Sequence, residues 1–130
     1  MKSTFRADVI LTEEGNTTTL YFRDAEIVDD SHAQRVGSQL LELPAMGYRR
    51  VLVDLNPDDS VKGAKNVRAL SDLLLTRFMQ LTIALRSEGG CLMIACRDAA
   101  VREFIAQKNL AMHLPLVTSA HDAQHAKRQA

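Results

Sequence analysis

The chain has 130 residues, which is the size of one domain that buries roughly two-thirds of the surface its unfolded chain would expose. Its composition, 46% hydrophobic and 25% charged, excludes the disordered class. Sixteen basic and sixteen acidic residues cancel, so no net field would gather a nucleic acid or an anionic membrane on the surface.

Charges at Lys2, Arg6 and Asp8 interrupt any apolar run in residues 1–10, so neither a signal peptide nor an anchor is expected there. No apolar stretch reaches the roughly 18–20 residues of a spanning helix. Direct membrane insertion is therefore not expected, and a cytoplasmic location is. The apolar segment Phe5 to Leu11, the polar stretch Thr12 to Asn16 and the threonine-rich segment Thr17 to Phe22 predict a hairpin of two strands.

Ser31 and Gln34 have capping-box spacing, in which each side chain satisfies a free backbone donor at a helix start. A helix carrying Ala33, Val36, Leu40 and Leu41 follows, and Pro44 and Gly47 end it. Val51 to Leu55 has branched apolar residues on both parities, the pattern of a strand covered on both faces. Asn56 to Ser60, with Pro57, opposes both strand and helix, and Gly63 extends that loop.

From Asn66 the spacing predicts a helix to Glu88 through Val67, Leu70, Leu74, Phe78, Leu81 and Leu85, stopped by Gly89-Gly90. Secondary apolar positions at Leu73, Leu75, Met79 and Ile83 widen its stripe. Cys91 to Ala95 predicts a second buried strand, and Asp98 caps a helix with Val101, Phe104 and Ile105 that Asn109 can end. Pro115 makes Met112 to Val117 an edge strand or extended loop, and Ser119 or Asp122 opens a short terminal helix. The tail from about residue 126, with Lys127 and Arg128, is expected to fray. The whole, residues 1–130, reads as a single α/β domain with a mixed four- to five-stranded sheet and about four helices.

Little chemistry is on offer. Cys91 and Cys96 stand five apart in one segment, facing opposite ways on a strand and lacking metal or redox spacing, so they read as small hydrophobes in a reducing compartment. His121 and His125 have the spacing of two ligands on one helix face but no third ligand, and His113 has no feature that joins it to either thiol. The pairs Glu13-Glu14, Asp29-Asp30 and Asp58-Asp59 fall in predicted turns and caps. Phosphate-binding glycine loops and nucleophile elbows are missing. Neither enzyme activity nor a cofactor is expected.

The helix after the hairpin, Val51 to Leu55, Val67-Arg68-Ala69-Leu70, Glu88 to Ile94, and Ala99 to Ile105 with Asn109-Leu110 together resemble the STAS domain of sulphate transporters and anti-sigma factor antagonists. The likeness covers most of the chain in order and spacing, as of a divergent member. Ala25 stands where a glycine is common, and the predicted 66–88 helix exceeds the family's by more than a turn.

In antagonists switched by phosphorylation, an Asp-Ser-Ser-Gly-like tetrad precedes the second helix, and its first serine accepts the phosphate. Registered on Val67-Arg68-Ala69-Leu70, the matching tetrad here is Gly63-Ala64-Lys65-Asn66, which puts Ala64, without a hydroxyl, at the acceptor place. A second register, on Asp59-Ser60, makes Ser60 the phosphoacceptor but puts Gly63 in the helix opening at about 1 kcal/mol relative to alanine.

The resemblance implies a regulatory, bacterial-type signalling module. It would bind an anti-sigma factor or serine kinase-like partner through Asp58, Asp59, Ser60, Lys62, Gly63, Ala64, Lys65, Asn66 and Arg68. The alternative it implies is an accessory subunit of a membrane transport or lipid-export complex, which the widened stripe of the long helix would suit. Pairing of two copies into a homodimer is compatible with either.

Overall fold

The computed structural model describes residues 2–5 (backbone only), 7–108 and 116–117. Two reversals build the antiparallel half of a six-stranded sheet: β1 (Lys2–Phe5) pairs with β2 (Val9–Glu14), and β2 with β3 (Thr17–Phe22). The predicted hairpin is present with a shorter loop. Gly15 takes φ 60°, a left-handed conformation that permits a two-residue turn, so Thr12, Glu13 and Glu14 pair with Thr19, Thr18 and Thr17 rather than looping out. The predicted first strand, Phe5 to Leu11, is divided: Phe5 ends β1, an additional outer strand, and β2 begins only at Val9.

The parallel half is β3, β5 (Arg50–Asp54), β7 (Cys91–Ala95) and β8 (Leu116–Val117), giving the order β1-β2-β3-β5-β7-β8. A separate two-stranded ladder joins β4 (Glu26–Ile27) to β6 (Ala69–Leu70). The mixed sheet is thus wider than the expected four to five strands, by β1 on one side. Leu116–Val117 takes the edge place read from Pro115.

Three α-helices lie among the described residues: α1 (Asp30–Leu41), α2 (Asp72–Ser87) and α3 (Ala99–Gln107). Helix α1 is capped by Asp29, whose carboxylate accepts from Ser31 N, and not by the Ser31 box. A carboxylate at the positive helix end is a strong acceptor, so the helix starts two residues earlier. Asp98 caps α3 as expected, accepting from Val101 N at 3.1 Å. The expected terminal helix, the fraying tail, Asn109, His113, His121 and His125 lie outside the described residues.

One face of the sheet presents Val9, Leu11, Leu20, Phe22, Val51, Val53, Leu92 and Ile94 to Val36 and Leu40 of α1 and to Leu74, Phe78, Leu81 and Leu85 of α2, all buried. The other face carries a smaller apolar strip of Leu52, Met93 and Ala95 with Val117. Helix α1 packs closely on α2 at Gly37, where an added Cβ would meet Arg77 Cγ at 2.4 Å.

The long helix is the main departure from expectation. Residues 66–71 are extended: Val67 N donates to Leu55 O, Arg68 N to Ala25 O and Ser71 N to Ile27 O. These bonds tie the segment to the end of β5 and to the β4 strip, so Val67 and Leu70 reach the core from an extended chain. Spacing of three residues does not by itself distinguish the two. The helix opens instead at Ser71, whose Oγ accepts from Leu74 N at 3.1 Å. The extra turn expected from sequence at the start of this helix is this extended stretch.

Candidate partner-binding site

The residues 56–68 leave the C-terminal end of β5 and return to the sheet beside it. Asn56 holds the start. Its Oδ1 accepts from Arg97 N (2.6 Å) and Asp98 N (3.1 Å), while Arg97 Nη2 donates to Asn56 O at 2.7 Å. Asn56 Nδ2 reaches Asn66 Oδ1 across the loop at 3.4 Å. Lys65 N donates to Phe22 O, and with the bonds at Val67 and Arg68 this fixes the far end. Buried Pro57 roots the loop, and Gly63, with φ 89°, turns it close to Ile10 Cδ1. A segment pinned at both ends loses less conformational entropy when a partner docks.

Asp58, Asp59, Ser60, Lys62, Gly63, Lys65, Asn66 and Arg68 are all exposed, and Ala64 is half-buried. They form one edge with an acidic start, Asp58 and Asp59, and a basic continuation, Lys62, Lys65 and Arg68. Asp58 accepts from Ser60 N at 2.9 Å and from the Ser60 hydroxyl, and these bonds hold its carboxyl below the usual range. Ser60 is therefore committed to an aspartate turn whose carboxylate would repel a phosphoryl group on the same oxygen. Beyond Arg68, a largely apolar groove of about 280 Å³ runs between β6 and α3, lined by Arg68, Ala69, Leu70, Ala100, Val101 and Phe104. Lys108 stands over the Phe104 ring at 5.3 Å and pairs with Asp72 at 3.0 Å. The groove adjoins the charged edge and continues it with apolar surface.

Opening α2 at Asp72 moves both registers read from sequence. With α2 opening at Asp72, neither Gly63-Ala64-Lys65-Asn66 nor Asp59-Ser60 directly precedes the second helix, and the hydroxyl residue that does is Ser71. Ser71 was missed because Val67 and Leu70 prolonged the apolar period. A Ser-Asp pair ahead of Leu74, an N-cap with an acidic first turn, was the available signal. Its side chain is buried and engaged in capping.

Asp54 lies behind the loop, buried at the end of β5. Burial pushes its carboxyl above the ordinary 3.8, and the Asn56 N–H and Arg97 only partly oppose this. Between the unfolded and folded values the folded chain holds the extra proton, so Asp54 costs stability as pH rises through that window. Asp54→Asn keeps an acceptor for Asn56 N. The variant is expected to melt at or above the wild-type temperature near about pH 7, with the difference shrinking in acid. Thermal unfolding across pH checks this, and a variant less stable at neutral pH than in acid, relative to wild type, contradicts it.

Cys96 is buried with its thiol raised by burial, Cys91 is half-buried, and neither is in a disulfide. A second cleft, of about 400 Å³, lies at the opposite end of the sheet around Glu13, Asn16, Tyr48 and Arg50 and contains none of the sequence-derived site residues.

Strand order, the β4–β6 strip and the helix arrangement together define an α/β domain of the STAS fold. Solved structures share this fold. A protein of Thermotoga maritima assigned as an anti-sigma factor antagonist superposes with a TM-score of 0.74 at 13% identity, over 91% of this chain and 92% of that one. The solution structure of TM1081 gives 0.68 at 13% identity, over 92% and 88%. The Bacillus cell fate determinant SpoIIAA in its phosphorylated form gives 0.57 at 6% identity, over 91% and 98%. No family model and no curated protein sequence matches the chain. No helix among the described residues is long and apolar enough to cross a membrane.

Proposed function

We propose that this chain is a non-enzymatic regulatory module that docks a protein partner of the anti-sigma factor or serine kinase-like class. Its docking surface is the edge from Asp58 to Arg68 and the apolar groove beside it. The observation that carries this reading is an exposed, charged loop tied at both ends to the sheet of a STAS fold. An acidic block followed by a basic one on a fixed edge suits orientation and selection of a partner, and the groove offers a place for an apolar anchor.

Docking in this reading is not switched by phosphorylation of the loop. Ser60 is bonded to Asp58, and the Ser71 hydroxyl is buried under its own helix cap. The transport-subunit alternative rested on the wide stripe of α2. Leu74, Leu75, Phe78, Leu81 and Leu85 are all spent on the core, leaving Ile83 as the one large apolar side chain of α2 that is exposed.

Capture from the native cell identifies the partner, and titration of the purified pair measures it. Reversing charge at Asp59, Lys62 and Lys65 together is expected to weaken binding by about tenfold or more, mainly through rim electrostatics, without changing the melting temperature. Undiminished affinity places the docking surface elsewhere. Mass spectrometry of the native protein is expected to find Ser60 and Ser71 unmodified, and phosphate on either overturns the unswitched reading.

A further inference from the structure

Away from the docking edge, three metal-ligating side chains from three separate elements converge. Asp8 stands just before β2, Asp24 follows β3, and His32 lies in the first turn of α1. One ligand atom from each lies within 4.8 Å of the other two. His32 Nε2 is 3.2 Å from Asp24 Oδ2 and 3.6 Å from Asp8 Oδ1. That nitrogen is shielded from solvent and lies within ion-pair distance of both carboxylates without a well-aligned hydrogen bond to either. An imidazole nitrogen that faces two carboxylates at once, aligned on neither oxygen, is arranged as metal ligands are, whereas an imidazole serving only as a structural link would aim its N–H at one oxygen.

We propose that Asp8, Asp24 and His32 form a zinc-binding site with three protein ligands and one open position. The spacing fits. Bonds of about 2.0–2.1 Å in a tetrahedral site put neighbouring donor atoms roughly 3.3 Å apart. The two separations from His32 bracket that value, and the two carboxylates lie within 4.8 Å of each other, so side-chain shifts of at most about 1.5 Å close the set. Asp24 is half exposed and can make them.

The remaining bonds at Asp8 are those of an outer shell. Arg35 Nε and Nη2 donate to Asp8 Oδ2 and Oδ1 at 2.8 and 3.0 Å, and Gln39 Nε2 donates to Oδ2 at 2.7 Å. Oδ1 thus accepts a single hydrogen bond and keeps a lone pair for an ion, while Arg35 and Gln39 hold the carboxylate in place. Two carboxylates against one guanidinium leave a net negative site, which favours a divalent cation. One imidazole and two carboxylates are hard-to-borderline ligands suited to zinc. Binding would clip the start of α1 to both ends of the β2–β3 hairpin.

Titration calorimetry with zinc chloride on the full chain tests the site. His113, His121 and His125 are first changed together to alanine, which leaves His32 as the last of the four histidines. One zinc per chain is expected, with a raised melting temperature. His32→Gln and Asp24→Asn in that background are each expected to weaken binding by about tenfold or more through loss of a ligand. Asp24 is bonded to no backbone group among the described residues, so Asp24→Asn keeps the proposal testable if His32→Gln unfolds, with circular dichroism of the metal-free proteins as the check. Absence of binding in the background protein overturns the proposal, and so does affinity that neither substitution changes. The readout needs no protein partner, so its failure leaves the docking reading untouched.

Discussion

Gly90→Ala is expected to unfold the domain or to cost about 3 kcal/mol or more, the upper range for forcing atoms into a packed site. A Cβ at this position would stand 2.0 Å from Arg49 O and 2.8 Å from Arg49 C. Both are backbone atoms at the entry to β5, so no rotamer change relieves the overlap. Arg49 O also accepts from Cys91 N at 2.9 Å, the first bond between the two central parallel strands. Relief would require β7 to move off β5, carrying with it Ala95 O, which accepts from Leu55 N, and the Arg97–Asn56 clamp. Gly89, whose φ is 80° and which has open space around it, fails differently: alanine there meets backbone strain alone, of the order of 1 kcal/mol. Urea unfolding of the two variants separates clash from strain. Equal stability of Gly90→Ala and wild type contradicts the packing described.

Phe78→Ala is expected to cost about 3–5 kcal/mol, a large share of the roughly 5–15 kcal/mol available to a domain. The ring is fully buried at the centre of α2, with its centroid 6.2 Å from that of Phe22 on β3 and the planes tilted by 37°. Its removal opens a cavity where helix and sheet meet. Tyr and Trp would not restore it without a partner for their polar atoms. Ile83→Ala on the same helix is the internal control. Ile83 is 65% exposed, so its loss should stay within about 0.5 kcal/mol. Chemical denaturation of both gives the contrast, and comparable losses at the two positions would show that α2 packs by a different face.

Local rules located most of the elements. Branched residues on both parities identify Val51 to Val53, and Cys91 to Ala95 spans the strand read from its composition. Asp98 caps its helix by the rule that short acidic side chains satisfy free N–H groups. The same rules failed where two local patterns coincide. Val67 and Leu70 have the spacing of one helical turn, yet the backbone donors of Val67, Arg68 and Ser71 find acceptors on β5 and the β4 strip. Such acceptors are remote in sequence, so no window of neighbouring residues reveals them. The misplaced helix start also carried the expected phosphoacceptor register, at Ala64 or Ser60, which lies several residues ahead of where the helix opens.

Composition, apolar period and turn chemistry sufficed for an α/β domain, for its buried strands, and for an acidic-basic loop after Val51 to Leu55, because each depends on residues a few positions apart. The tertiary structure alone decided what that loop is tied to and what lies near it. Asn56 meets Arg97 across 41 positions, and Asp8 meets His32 and Arg35 across the hairpin and the start of α1. Contacts of that kind are chosen by how strands and helices stack, and they become legible only when the chain has closed on itself.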